Sequence, residues 1–340
     1  MFQKAFTKTD INDSGLHLSW KERVDVIRSN RWFLTLFPFI ILFLMVVFFG
    51  AATEGNFFKL RVLKGVVNQA IIIGTCATGV SFIYSNGNID ISIGAILKLA
   101  GTIGVLAYGA TESIPVFIAV CVGVSVALMV FNCTLSAVFH IMTITAAIVM
   151  MQIYSAVSIL IIGGSGRREI SYGVSQLLKD GGFRFAAFLG YFVICVIIYH
   201  GTRVGRELRF IGGNAACARQ TGMSERRATY ISFLIAGLGI GLASIFSVID
   251  VSVVTTETGG SLGMDVMLAT VLGGMSIFGG SRSNAYAGMI GALTVSALNK
   301  GLLMMGVSSA LIQGIRGVIF IILVYLNSEK QRLLPSRVQF

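Results

Sequence analysis

Long apolar runs separated by short polar segments make up most of this chain. A helix satisfies its own backbone hydrogen bonds in hydrocarbon, and roughly 20 apolar residues, about 30 Å at 1.5 Å per residue, are needed to cross a bilayer. Ten runs approach or exceed that length, at residues 32–52, 65–84, 91–110, 114–139, 141–162, 185–199, 228–249, 266–278, 285–305 and 308–326. The pattern predicts an all-α integral membrane protein with about ten transmembrane helices.

The polar segments divide the chain into three regions. Residues 1–31 are predicted to be a cytoplasmic N-terminal segment, residues 32–327 a transmembrane domain with a long basic loop at 201–228, and residues 328–340 a cytoplasmic C-terminal tail. The first apolar run begins too late and is too long for an ordinary secretory signal. We therefore expect it to remain as the first span.

The distribution of basic residues predicts the orientation. Six Lys or Arg residues precede the first run, six lie between Arg203 and Arg227, and three follow the last run. Cytoplasmic loops carry an excess of such residues, and an even number of spans places all three regions on one side. Both termini are therefore predicted to be cytoplasmic.

Composition narrows the class of protein. Hydrophobic residues make up 55% of the chain and charged residues 12%, which is typical of a protein in contact with lipid. The net charge of +11 would suit nucleic-acid binding, but the basic residues are concentrated between the apolar runs, so we expect membrane lipid and no nucleic acid as a partner.

The sequence carries no recognisable catalytic or metal signature. Its five Cys include no CxxC pair, its three His have no partner at metal-ligand spacing, and no Walker A loop precedes any of its Lys residues. We predict neither a catalytic residue nor a metal site, and any ATP must be bound by another chain.

Glycine pairs and a weak internal repeat indicate how the helices are arranged. Three glycine pairs are predicted to let helices approach closely, namely Gly101 with Gly104, Gly237 with Gly241, and Gly288 with Gly291. Segments 89–101 and 264–276 both open with an apolar residue and Asp, then continue into a glycine-containing apolar run. Such an echo predicts two related halves around a transport pathway.

Polar residues within or beside the apolar runs are candidates for that pathway. An unpaired charge in a span costs about 2.5–3.5 kcal/mol, so polar residues there need partners or a lined cavity. The candidates are Asn88, Asp90, Ser92, Lys98, Asn132, Gln152 and Asp265. Asp90 could instead cap a helix. Lys98 lies about 12 Å from Asp90 along one helix, so we expect its partner to come from elsewhere.

The basic loop has its own pattern. Residues 215–220 favour a short helix, and Gly222 is a natural stop. Such a helix could dock on a cytoplasmic partner, or the loop could be a solvated segment that only sets topology.

At these residues the chain resembles the ribose-type permease family of bacterial ABC importers, from the first span to Asn327. GNIDISIG at 87–94 is similar to that family's turn at Asp90, Ser92 and Gly94, although Asn88 replaces a glycine. In the loop the positions that match are Thr202, Arg203, Gly205, Arg206, Gly212, Gly213, Asn214, Ala216, Arg219 and Gly222, while Ala215 stands where the family has Glu. A third match covers Asp265, Gly273, Gly274, Gly279, Gly280, Gly301, Gly306, Ser308 and Arg316.

The resemblance implies an ABC importer permease fold in the bacterial inner membrane, working by alternating access. It implies four kinds of component: this chain, a second permease copy or homologue, cytoplasmic subunits that bind ATP and Mg²⁺, and an extracytoplasmic solute-binding protein. The matching loop positions would then couple the chain to the ATPase, and this chain would need no cofactor.

The solute implied is a small polar molecule, with a ribose-like pentose or a hexose expected first. Three alternatives stay open: a nucleoside or furanosyl signalling molecule carried by the same machinery, an ion-coupled secondary transporter that uses Asp90, Lys98 and Asp265, or a membrane scaffold without transport activity.

Overall fold

The chain folds into a bundle of helices with one small two-stranded sheet. A computed structural model describes residues 31–180, 182–276, 279–280 and 286–332, with the side chains of 31–37, 180 and 326–332 left out of the description. Its helices are α1 (Arg31–Ala52), α2 (Leu60–Ser85), α3 (Ile93–Thr111), α4 (Ile114–Phe139), α5 (Thr143–Ile162), α6 (Tyr172–Asp180), α7 (Phe183–Gly201), α8 (Arg203–Gly213), α9 (Ala215–Gln220), α10 (Glu225–Val251), α11 (Leu262–Leu272), α12 (Ala287–Met304) and α13 (Ser309–Arg332). The strands are β1 (Arg167–Glu169) and β2 (Val253–Thr255).

Seven helices in the described part of the chain are long and apolar enough to cross a membrane: α2, α3, α4, α5, α7, α10 and α12. Three shorter apolar helices lie at Pro38–Ala52, Leu262–Leu272 and Ser309–Tyr325. The prediction of an all-α integral membrane protein is confirmed. Apart from Arg31, the predicted N-terminal segment 1–31 lies outside the described residues, and so does the predicted tail beyond residue 332.

The apolar run predicted at 266–278 has different bounds. Its helix, α11, begins earlier, at Leu262, and ends at Leu272 because Gly273 and Gly274 follow, the latter with a φ of +89°. Residues with that φ leave the right-handed helical region, which glycine tolerates at little cost. The helix is therefore shorter than the predicted run.

The two ends of the bundle carry different structures. At one end, which we call the sheet end, β1 pairs antiparallel with β2, with Arg167 opposite Thr255, and α6 lies beside them in the chain. At the other, the loop end, α8 and α9 connect α7 to α10. Helices α7 and α10 each connect one of these regions to the other, so the two polar regions lie at opposite ends of the bundle.

The predicted glycine packing is confirmed. A Cβ atom at Gly237 would lie 2.8 Å from the Cα of Val126, so α10 and α4 touch backbone to backbone. A Cβ at Gly291 would lie 1.7 Å from the Ala269 carbonyl oxygen, which places α12 directly against α11. Membrane helices depend on such close approach because lipid provides little hydrophobic drive for their association.

The first turn of α3 meets the non-helical segment before α11. Residues 86–92 lead from α2 into α3, and residues 252–261 lead from α10 into α11. A Cβ at Gly94 would lie 2.1 Å from the Gly259 carbonyl oxygen, and one at Gly259 would lie 2.4 Å from that of Gly94. Since Gly259 also has a φ of +74°, this junction requires glycine on both sides.

Candidate functional site

Three of the predicted pathway residues form one buried cluster before α3. Asp90 is 1% exposed, and its Oδ1 accepts hydrogen bonds from the backbone N–H of Ser92 at 2.7 Å and from the Ser92 hydroxyl at 2.6 Å. The Asn132 amide on α4 donates to Asp90 Oδ2 at 3.2 Å and to the Ser92 hydroxyl oxygen at 2.9 Å. These bonds tie the segment before α3 to α4.

A fourth member, Tyr154, completes this cluster from α5. Its hydroxyl donates to the Asn132 side-chain carbonyl at 2.8 Å. Asn88 lies at the margin, where its side-chain oxygen accepts a 3.3 Å hydrogen bond from the Thr143 hydroxyl. Both carboxylate oxygens of Asp90 accept hydrogen bonds, so Asp90 closes the local turn before α3 and ties that turn to α4.

Lys98 lies apart from that cluster. It is 4% exposed, and its ammonium donates to the Ser155 hydroxyl on α5 at 2.8 Å and to the Thr256 carbonyl at 3.0 Å. The prediction that its partner comes from elsewhere in the fold is confirmed. Both acceptors are neutral.

Asp265 occupies a second buried cluster, before the middle of α11. The Arg316 guanidinium on α13 donates to its Oδ1, and the Ser261 hydroxyl donates to its Oδ2 at 3.3 Å. Both members of the ion pair are buried. Asn299 on α12 is also buried, and its side chain faces Asp265.

Gln152, unlike the other predicted pathway residues on helices, is exposed, and it lies on α5. Apolar neighbours on the same outward face include Ile148, Val149 and Ile153. The structure thus distributes the predicted pathway residues over four places: one cluster at Asp90, one at Asp265, a separate contact at Lys98 and an outward face at Gln152.

In the basic loop, two of the predicted coupling residues are internal. A Cβ at Gly205 would lie 1.9 Å from the Tyr199 carbonyl oxygen, and one at Gly212 would lie 2.0 Å from that of Ser85. These glycines seat α8 against the ends of α7 and α2. Tyr199 strengthens the joint, since its hydroxyl is hydrogen-bonded to the Ser85 hydroxyl at 2.6 Å.

The remaining predicted coupling residues face outward. Arg203, Arg206, Gly213, Asn214, Ala216, Arg219 and Gly222 are all exposed. Two cavities of about 580 and about 360 Å³ open on this surface, and both are lined by Arg206 and Phe210. Phe210 is 46% exposed and lies beside Arg206 in both cavities.

The predicted short helix is present as α9, Ala215–Gln220. The Asn214 side chain caps it by accepting from the Cys217 N–H at 3.0 Å, and Gly222 follows with a φ of +79°. The sequence pattern gave no sign of α8, because its charged residues resemble those of a solvated loop.

Comparison of the sequence with known proteins places the chain in a family. Residues 62–324 match the profile of a family described as "branched-chain amino acid transport system / permease component". The ribose import permease protein of Escherichia coli strain K12 is 26% identical over 86% of this chain and 93% of its own, and that of Bacillus subtilis strain 168 is 27% identical over 86% and 92%. The galactofuranose transporter permease protein of Escherichia coli strain K12 is 24% identical over 89% and 92%.

No solved structure matches the chain. The resemblance to ribose-type permeases is confirmed by the curated relatives. Because the profile covers most of the 340 residues, the chain belongs to the branched-chain amino acid transport system / permease component family.

Proposed function

We propose that this chain is the transmembrane permease subunit of an ATP-driven importer, which moves a small polar solute into the cytoplasm by alternating access. The observation that carries the proposal is the surface of α8 and α9. Two glycines seat α8 rigidly on the bundle, and its outer face presents arginines around the exposed Phe210. A basic rim around a central aromatic residue is typical of a protein-binding surface.

The partner proposed for this surface is a cytoplasmic ATP-binding subunit that holds the ATP and Mg²⁺. The loop end would then face the cytoplasm, together with both chain termini, in agreement with the excess of basic residues there. Ten spans result when the three shorter apolar helices cross the membrane with the seven longer ones.

Two related halves are supported by the order of packing. The first half would contain α2, α3 and α4, and the second half α10, α11 and α12. The contact of α2 with α12 then corresponds to that of α10 with α4. The contact of α3 with α4 corresponds to that of α11 with α12. A long helix, a non-helical segment and a shorter helix occur in the same order in each half. Paired discontinuous helices of this kind are typical of transporters.

The outward face of α5 supports a second permease copy or a homologue. An amide on a lipid-exposed face loses hydrogen bonds to water, which costs free energy unless a partner satisfies it. Gln152 is in that position, and Gln313 on α13 is also exposed. A solute pathway between two copies would give both side chains a polar environment.

At the sheet end, α6 presents Tyr172 and Leu177 as exposed side chains beside the basic residues Arg167 and Lys179. We assign this surface to an extracytoplasmic solute-binding protein. Its position opposite the loop end matches a component that delivers solute from outside.

A monosaccharide, a ribose-like pentose or a hexose, is the proposed solute. The names of the relatives support this choice, since they specify ribose and galactofuranose. Relatives named for autoinducer 2 import, such as that of Photorhabdus temperata, keep a furanosyl signalling molecule or nucleoside as the second choice. Ion coupling has less support, because Asp90 and Asp265 both have their acceptor oxygens occupied.

The test is co-purification of the chain from its native membrane in mild detergent, followed by mass spectrometry. We expect an ATP-binding subunit to be retained by the wild type and lost in Gly213→Asp and Arg219→Glu. A Cβ at Gly213 would meet nothing within 4 Å, so aspartate there adds charge without a clash.

Arg167→Glu is the matched control, because it reverses an equally exposed arginine at the sheet end. It should retain the ATPase. Reproducible absence of any ATP-binding subunit from the intact wild-type protein would contradict the proposal and favour an ion-coupled transporter.

A further inference from the structure

Lys98 joins three separate parts of the chain at the sheet end of the bundle. The residue belongs to α3, the Ser155 hydroxyl to α5, and the Thr256 carbonyl to the segment that leads into α11. A single ammonium group therefore fixes the mutual position of two helices and one turn.

The charge of this ammonium is incompletely compensated. None of the ion pairs among the described residues includes Lys98. Its two acceptors are neutral, and an ammonium group has three N–H donors. Glu257, which follows Thr256, is exposed and acts on Lys98 only through its charge. Two acceptors for three N–H donors among the described residues leave the ammonium a donor for another acceptor when the turn moves.

The turn that Lys98 holds has few other attachments to α3. The Thr255 N–H donates to the Thr258 hydroxyl, and the Gly260 N–H donates to the Glu257 carbonyl, so these bonds are internal to the turn. The turn meets α3 again where Gly259 touches Gly94. Lys98 lies one helical turn beyond Gly94, so the two contacts adjoin each other on one face of α3.

The same segment is also connected to the surface of the sheet end. Strand β2 immediately precedes Thr256 and pairs with β1, and the Ile170 N–H after β1 donates to the Ser252 carbonyl at 3.0 Å. A displacement of β1 therefore moves β2, and β2 in turn moves Thr256, whose carbonyl accepts the hydrogen bond from Lys98.

We propose that Lys98 is a positioning residue for transport, whose ammonium holds the 256–261 turn and α5 against α3 and so keeps the sheet end closed. Opening requires the ammonium to release the Thr256 carbonyl, and a load on β1 from a docked partner protein acts on that bond through β2. The inference rests on the proposed function, since the opening it describes is a step of transport.

The test is amide hydrogen exchange of the purified full chain in nanodiscs, with wild type compared with Lys98→Met. We expect peptides that contain residues 253–261 to exchange about tenfold faster in the variant, because the turn then loses its side-chain attachment to α3. Lys98→Arg, which keeps a cationic donor, should restore most of the protection. Unchanged exchange in Lys98→Met would overturn the proposal.

Lys300→Met is the matched control, because it removes a span lysine on α12 that approaches Gly65 and lies away from the turn. It should leave exchange at 253–261 as in wild type; equal acceleration by both variants would overturn the assignment to Lys98. If Lys98→Met fails to fold, Ser155→Ala removes one acceptor alone and should accelerate exchange about threefold. No acceleration in that variant would also count against the proposal.

ATP hydrolysis and solute uptake test whether the contact between Lys98 and Thr256 matters for transport. In the complex retained by co-purification, Lys98→Met should raise ATP hydrolysis in the absence of solute several-fold and lower solute uptake. Wild-type values for both would overturn the positioning role. The exchange experiment uses the permease alone, so its result stands even if no ATPase is found.

Discussion

Two aspartates in the described part of the chain are buried beside the start of a helix, and they are stabilised in different ways. Asp90, before α3, accepts hydrogen bonds from neutral donors on Ser92 and Asn132. Asp265, in the first turn of α11, is paired with the guanidinium of Arg316. One carboxylate therefore fixes a local turn, and the other fixes the last helix of the bundle to α11.

The two aspartates should therefore differ in how much stability is lost when one of their partners is removed. Loss of one neutral donor leaves a polar group with fewer hydrogen bonds, at a cost of about 1–3 kcal/mol when it is buried. Loss of one partner of a buried ion pair leaves an uncompensated charge, which costs about 3–5 kcal/mol. The Asp265 cluster should therefore be the more sensitive of the two.

The strongest expected effect is that of Arg316→Met. It leaves the Asp265 carboxylate charged and buried, so we expect destabilisation of about 3–5 kcal/mol, seen as a large fall in the thermal denaturation temperature in detergent. The double variant Asp265→Asn with Arg316→Met should recover part of this loss. If Arg316→Met denatures like wild type, the ion pair does not stabilise the fold and the comparison fails.

The junction between Gly94 and Gly259 should be less sensitive than this ion pair. In Gly94→Ala the new methyl group would meet the Gly259 carbonyl oxygen at 2.1 Å, and we expect a loss of about 1–3 kcal/mol from overpacking. Gly109→Ala, on the same helix with nothing within 4 Å, is the control and should denature at the wild-type temperature or above. Equal behaviour of the two variants would mean that the segments can separate.

Replacing each aspartate by asparagine compares the two clusters directly. Asp90→Asn keeps the acceptor for Ser92 but places an N–H₂ group against the Asn132 amide, so we expect a loss of about 1–2 kcal/mol. Asp265→Asn should cost more, because it leaves the Arg316 cation buried without its partner. Both are measured by thermal denaturation, and a reversed order would show that the two clusters were assigned the wrong sensitivities.

The smallest effect is expected from Tyr154→Phe. The substitution removes one hydroxyl that donates to Asn132 and leaves the packed ring in place, at a cost of about 1 kcal/mol. A much larger drop in denaturation temperature would show that the Asp90 cluster depends on α5 as strongly as the Asp265 cluster depends on α13.

The sequence was sufficient to predict an all-α membrane protein with long apolar helices, and the short helix α9. Apolar length alone identifies a span, because hydrocarbon forces the backbone to satisfy itself. The start of the short helix at Ala215 and the stop at Gly222 were also readable, since their residue types have strong local preferences.

Other structural features could not be predicted, because the local sequence does not indicate them. The three-residue strands β1 and β2 are too short for any periodicity, and α8 combines charges and glycines as a loop would. The pairing of Asp265 with Arg316 joins residues 51 positions apart. Tyr154 and Ser155 looked like ordinary span residues, and the acceptor at Thr256 is a backbone carbonyl that every residue has.

The way α8 is seated has a consequence for mechanics. Its joint with α2 and α7 is formed where Gly205 and Gly212 touch backbone carbonyls, and backbone has no rotamers that could absorb a displacement. The joint therefore has low compliance, so a push on α8 arrives at Ser85 nearly undiminished. Gly213, one residue beyond this stiff contact, has free space around it, so a spectroscopic label there fits the chain alone and reports the position of α8 in the absence of the ATPase.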